Sequence, residues 1–208
     1  MTTAETWTIG RLLNWTADYL KKAGSQSPRL DAEVLLAHAR GCQRIELYTA
    51  FEEEPSEQTR AAFRELVRSR AEGVPVAYLV GYKEFYSMTF EVNPSVLIPR
   101  PETEHLVVEA LDRAKRLLKE LPPPEQDQSL SGYLKLADVG TGSGAIAIAI
   151  LKHFPRCQCS AVDINPAALE VARRNAQRHG LDQDRLTFVE GDLLDWCPKD
   201  QLFDLIVS

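Results

Sequence analysis

The residues in this sequence best suited to chemistry are Asp138-Val139-Gly140-Thr141-Gly142-Ser143-Gly144, which lie between one apolar run and another beginning at Ala145. Glycines let a backbone turn sharply and approach a ligand closely, and free amides at the start of a following helix favour a negatively charged group. The spacing alone does not choose the ligand. Gly140, Gly142 and Ala145 also fit the dinucleotide fingerprint with alanine in its third place, and a bare turn needs no ligand at all. Asp163 closes the next apolar run, where a carboxylate can accept from both hydroxyls of a ribose. That geometry serves a nicotinamide or an adenosylmethionine ribose equally well. Gly191-Asp192-Leu193 closes a third run; there Asp192 can accept from an adenine amino group and Leu193 can pack on the ring, or Asp192 can simply cap a turn or helix.

Other reactive residue types carry less. Arg100 and Glu104 stand either at the lip of such a site or as charges at a helix end. His38, His105, His153 and His179 fall in or at the ends of helical patterns with no partner spacing, which argues against catalysis. Glu52-Glu53-Glu54 reads as a solvated acidic turn. Cys42, Cys157, Cys159 and Cys197 are too few and too unevenly placed for a disulfide framework or a zinc set, so free thiols in a reducing cytoplasm are expected.

The elements that must position these residues follow from periodicity. Residues 1–74 read as a small helical domain: Ile9, Leu12, Leu13, Thr16 and Leu20 share one face, and Ala32, Leu35, Leu36 and Ala39 another. Gly24 and Ser27-Pro28 separate these two helices, and a third starts at Ser56 with Phe63, Leu66 and Val67 as its stripe. Residues 75–100 alternate through Phe85, Met88, Phe90, Val92, Val96 and Ile98, which predicts a linking hairpin turning at Asn93-Pro94-Ser95. Residues 101–208 open with a helix from Glu102 to about Glu120, then an exposed Pro-rich connector from Leu121 to Gly132. A β/α alternation follows, with strands at Leu134–Val139, Gln158–Asp163, Leu186–Glu190 and Phe203–Val207 and helices at Ala145–His153 and Pro166–Arg178. The second of these helices has Asn165 as cap, Pro166 in its first turn and Gly180 as stop. A buried parallel sheet is the expected architecture.

The glycine loop paired with Gly191-Asp192 is typical of class I methyltransferases. Together with Asp163-Ile164-Asn165-Pro166 and Phe203-Asp204-Leu205-Ile206-Val207-Ser208 it resembles the HemK-type family, which methylates a glutamine of peptide-chain release factors. Ser27-Pro28-Arg29-Leu30-Asp31-Ala32-Glu33, Pro75-Val76-Ala77-Tyr78-Leu79 and Leu97-Ile98-Pro99-Arg100-Pro101-Glu102-Thr103-Glu104 extend the resemblance into the helical domain and linker. A sister family acting on a ribosomal protein shares the architecture, but the wording from Arg100 to Glu104 is closer to the release-factor enzymes.

The resemblance implies an α/β fold: a class I methyltransferase Rossmann-like parallel sheet, incomplete at its C-terminus, behind a helical substrate-recognition domain and a β-hairpin linker. It implies S-adenosylmethionine as cofactor, held by Gly140, Thr141, Gly142, Ser143, Gly144, Asp163, Asp192 and Leu193. The substrate would be the side-chain amide nitrogen of the glutamine in a Gly-Gly-Gln motif, and the protein partners would be release factors. In the family the catalytic acceptors lie in an Asn-Pro-Pro-Tyr loop directly after the fourth strand. Ser208 stands just before that place, so no catalytic residue carries over, and the expectation is a fragment of a longer protein, inactive alone. A net charge of −6 argues against direct nucleic-acid binding, and no apolar run is long enough to cross a membrane. A nucleic-acid amino methyltransferase and a non-catalytic module that binds a translation factor remain the competing readings.

Overall fold

The computed structural model describes residues 6–119, 133–181 and 184–208; the expected connector from Leu121 to Gly132 lies outside them. The chain divides into two compact units, Met1–Gly81 and Tyr82–Ser208.

The first unit is helical. α1 (Ile9–Lys22) starts at Thr8, whose hydroxyl accepts from the Arg11 N–H, and α2 (Pro28–Arg40) begins with proline in its first turn and ends at Gly41 in the left-handed conformation. α4 (Glu57–Ala71) is capped by Ser56, whose hydroxyl accepts from the Thr59 N–H at 3.1 Å, as its sequence predicts. Two short helices were not expected: α3 (Arg44–Thr49), held by a capping box between Gln43 and Glu46, and α5 (Val76–Val80). Residues 75–81 therefore belong to the helical unit, and the expected boundary at 74 moves to Gly81. Leu13, Leu20, Leu35, Leu36 and Leu47 form the fully buried centre of this unit.

The second unit begins with a hairpin, β1 (Tyr82–Phe85) paired antiparallel with β2 (Met88–Glu91). Its turn is Tyr86-Ser87, and the expected turn at Asn93-Pro94-Ser95 lies beyond the second arm. Both turn residues have positive φ, 51° and 58°, the mark of a tight two-residue turn that usually uses Asn-Gly. The contacts that hold this unusual pair are tertiary. The Tyr86 N–H donates to Glu104 at 3.0 Å, and the Tyr86 ring meets the edge of the His153 ring.

After α6 (Thr103–Leu118) the chain alternates through β3 (Leu134–Val139), α7 (Ala145–His153), β4 (Cys157–Asp163), α8 (Pro166–Arg178) and β5 (Leu186–Glu190), and β6 (Leu205–Val207) then follows β5 with no helix between them. The four strands form one parallel sheet in the order β5-β4-β3-β6. β3 and the helix after it are buried almost throughout, as a central parallel strand requires. β6 starts two residues later than its sequence predicts, because the Asp204 carboxylate accepts the Lys135 N–H at 2.7 Å and ends the ladder there. β3 lies between two strands, so every loop at its carboxyl end and at those of β4 and β5 opens on the same edge of the sheet.

Candidate functional site

The three loops named from the sequence meet at the carboxyl edge of the sheet, with Asp163 at the centre. Strand register pairs Val139 with Val162 and Asp163 with Glu190, so the chain leaves β3, β4 and β5 at nearly one level. The N–H groups of Gly140 and Thr141 both donate to the Val162 carbonyl at 2.8 Å, which bends the glycine loop across the end of β4. The Gly142 N–H then donates to Asp163 Oδ2 at 2.9 Å, while Asp163 Oδ1 accepts from the Asn165 N–H at 2.9 Å. On the other side the Gly191 N–H donates to the Asp163 carbonyl at 3.1 Å. One residue thus joins all three loops, and its half-buried carboxylate keeps lone pairs for further donors.

Beneath the loop lies Asp138, wholly buried at the end of β3. Its Oδ2 accepts from the Thr141 hydroxyl at 2.8 Å and from the Ala147 N–H at 3.1 Å. Its Oδ1 is buried and has no hydrogen-bond donor among the described residues. Burial pushes this carboxyl up to about 6, against the opposing pull of the bonds from Thr141 and Ala147. A buried carboxylate with one oxygen unpaired is a group that gains by meeting a donor or a cation.

The remaining expected residues sit where the sequence puts them but are less engaged. Asp192 and Leu193 follow β5 and are exposed, Leu193 at 67% and with φ of 48°. Trp196 supports this turn by donating its indole N–H to the Leu193 carbonyl at 3.0 Å, and it packs so close to Gly191 that a Cβ there would lie 2.9 Å from the ring. Glu104 serves the hairpin turn, its Oε1 accepting from the Tyr86 N–H. His153 and His179 are likewise engaged in packing, bonded to the Ala149 and Thr89 carbonyls and set against Tyr86 and Phe90.

Three residues have a place at the site beyond what the sequence assigns them: Ile164 and Asn165 stand there only as part of a motif and as a helix cap, and Asn175 is not singled out. Ile164, next to Asp163, is a 66% exposed apolar side chain at the rim, and exposure is not legible in a strand-end residue. Asn165 both caps α8 and donates its amide to the Ser95 carbonyl at 3.1 Å, drawing the segment after the hairpin to the site. Asn175, fully buried on α8, contacts the loop itself. A polar residue among Val171, Ala172 and Ala176 was the available signal. A separate groove of about 570 Å³, lined by Trp15, Tyr19, Phe63 and Arg64, belongs to the helical unit and holds none of these residues.

No helix among the described residues is long and apolar enough to cross a membrane, and they include no His, Cys, Asp and Glu cluster suited to a metal. The four cysteines are free thiols, with Cys157 and Cys159 buried in the sheet.

Comparison with known proteins divides the chain as its structure does. Residues 11–81 match the PrmC N-terminal domain, and residues 136–208 match a methyltransferase domain, whose Rossmann-like parallel sheet and loops are those described above. The chain is 55% identical over 202 residues to a release factor glutamine methyltransferase of Rhodopirellula baltica, an alignment covering 97% of this chain and 64% of that protein. A release factor glutamine methyltransferase of Geobacter sulfurreducens is 42% identical over 98% of this chain and 65% of its own length, and that of Bacillus subtilis 38% over 97% and 65%. The chain thus spans just under two thirds of the length of these relatives. Similarity runs through the helical unit, the hairpin and the glycine-loop domain: the chain carries a PrmC N-terminal domain and a methyltransferase domain, and along both it is similar to release factor glutamine methyltransferases.

Proposed function

We propose that this chain is the helical domain and cofactor-binding part of an S-adenosylmethionine-dependent enzyme that methylates the side-chain amide nitrogen of the Gly-Gly-Gln glutamine in peptide-chain release factors. The observation that carries this reading is the 55% identity to a release factor glutamine methyltransferase along 97% of the chain, across both domains at once.

The residues present fit the cofactor chemically. Asp163 accepts from the ribose hydroxyls with the lone pairs that Gly142 and Asn165 leave free, and those two N–H groups hold its carboxylate in place beforehand. The N-terminal end of α7, reached through the Gly140–Gly144 loop, offers a favourable dipole to a carboxylate. The buried Asp138 carboxylate beneath the loop favours, through its charge, the positive α-ammonium of the same amino-acid moiety. Asp192 accepts from the adenine amino group, and Leu193, with Ile164 opposite, gives the ring apolar contact. Bound there, the cofactor supplies a methyl group on a positively charged sulfur. An amide nitrogen is a weak nucleophile because its lone pair is delocalised, so the protein's task is to exclude water and align that nitrogen with the methyl. The acceptors for the two amide N–H groups would come from the loop following the fourth strand, and the helical unit would supply release-factor contacts.

The test uses a protein of the relatives' full length, methyl-labelled adenosylmethionine and a release factor, with mass spectrometry locating the label. Label on the Gly-Gly-Gln glutamine is expected. Replacing Asp163 with Ala should weaken cofactor binding by about 1–3 kcal/mol through loss of charge-assisted bonds. No transfer to the factor would refute the substrate, and an unchanged cofactor affinity in Asp163→Ala would remove that residue from the site.

A further inference from the structure

Among the buried residues of α8, Asn175 differs from its neighbours Val171, Ala172 and Ala176 in being polar, and all its hydrogen bonds go to main chain. Its Oδ1 accepts from the Glu91 N–H at 2.7 Å, and its Nδ2 donates to the Glu91 carbonyl at 3.0 Å and to the Ser143 carbonyl at 2.9 Å. A buried amide is tolerated only when so satisfied, and removing it would leave three main-chain groups short of a partner.

The Ser143 carbonyl is the informative contact. It belongs to the peptide entering Gly144, which is left-handed at φ 79° and is the N-cap of α7. The Gly144 N–H donates back to the Thr141 carbonyl at 2.8 Å, and the Gly144 carbonyl receives the Ile148 N–H at 2.9 Å. Holding the Ser143 carbonyl therefore sets the plane of a peptide in the middle of the glycine loop. The same amide grips β2, so the loop and the hairpin share one clasp. Two other residues bond the hairpin to the end of α8, Arg174 through its guanidinium to the Glu91 carboxylate at 2.7–3.1 Å and His179 to the Thr89 carbonyl at 2.9 Å, and neither touches the loop.

We propose that Asn175 is a positioning residue for the cofactor: through the Ser143 carbonyl it keeps the glycine loop in its ligand-receiving conformation and couples that conformation to the β1–β2 hairpin. The proposal rests on reading the glycine loop as the cofactor pocket.

The experiment compares Asn175→Leu, Asn175→Asp and Arg174→Ala in the full-length protein. Amide hydrogen exchange without ligand reads the loop, calorimetry with adenosylmethionine reads the pocket, and the release-factor KM at saturating cofactor reads the rest of the enzyme. In both Asn175 variants the Gly144 and Ile148 amides should exchange about tenfold faster or more, and the cofactor Kd should rise by a similar factor, the scale of leaving a buried partner unpaired. The β3–β4 ladder and the release-factor KM should stay as in the parent, and Arg174→Ala should change none of these. Asn175→Asp keeps the acceptor for Glu91 and so carries the test if the leucine variant does not fold. Its defect should shrink as falling pH protonates the new carboxyl and restores a donor. Unchanged loop exchange and Kd in Asn175→Asp would overturn the proposal, as would an equal loss in Arg174→Ala, which would assign the effect to hairpin attachment. A parent that binds no adenosylmethionine would refute the function reading, and the exchange comparison would still decide whether Asn175 sets the loop.

Discussion

Gly144→Ala and Gly140→Ala should differ sharply in stability, although both replace a left-handed glycine of one loop. Gly144 and Gly140 have φ of 79° and 75°, so each alanine takes the left-handed penalty of ~1–2 kcal/mol. A Cβ on Gly140 meets nothing within 4 Å. A Cβ on Gly144 would lie 2.9 Å from Ile148 Cδ1, 3.2 Å from Ala172 Cβ and 3.4 Å from Ala172 Cα. Ile148 and Ala172 are both fully buried, so the isoleucine tip has nowhere free to go and the α8 backbone must give way. Overpacking of this kind adds ~1–3 kcal/mol. The expected totals are ~1–2 kcal/mol for Gly140→Ala and ~2–5 kcal/mol for Gly144→Ala. For a chain of this size the gap corresponds to roughly 2–12 °C in Tm. Thermal unfolding followed by circular dichroism measures it. A double variant with Ile148→Val, which removes the clashing Cδ1, should lose less than the sum of its single changes. Equal midpoints for the two alanine variants, or additive losses in the double variant, would refute the packing argument.

Asp138 gives a pH prediction. Its carboxyl is raised from 3.8 to about 6 by burial, so the stability it contributes is fully present below 3.8 and is lost as pH rises to about 6, with no further change above. Urea titrations from pH 4 to 8 should show a falling component in the parent that Asp138→Asn lacks; identical pH dependence in the two proteins would refute the raised value. Cofactor binding should follow the opposite course, strengthening through about pH 6 as the carboxylate charges, which calorimetry across that range would test. Burial also pushes the Cys157 thiol up to about 12 and Cys159 well above its usual range. Neither should react with a thiol reagent in native protein at pH 8, while both should after unfolding; peptide mass mapping that finds native labelling at either would contradict their burial.

Much of the site is written in local sequence. A glycine-rich turn between an apolar strand and an apolar helix, and carboxylates closing the next two strands, have few backbone solutions. Asp138 to Gly144, Asp163 and Asp192-Leu193 accordingly fall at strand ends as their order requires. The cap of α8 at Asn165 and that of α4 at Ser56 were legible for the same reason, since a cap bonds to an amide two or three residues away.

What the sequence by itself determined is the β/α alternation and the types of residue at each strand end, because these depend on neighbours within a turn or a strand. The tertiary structure decided the rest, because the partners are far apart in the chain. Tyr86-Ser87, not Asn93-Pro94-Ser95, became the hairpin turn because Glu104 and His153 hold Tyr86 in a conformation its own sequence does not favour. β6 was shortened by a carboxylate bonding to Lys135, some seventy positions earlier. Asp138 acquired an unpaired oxygen and a raised pKa, and Asn175 its grip on the glycine loop, only when the sheet and α8 closed water out around them. Periodicity shows which side chains turn inward, but burial of a polar atom and the identity of its partner arise only once distant segments pack together.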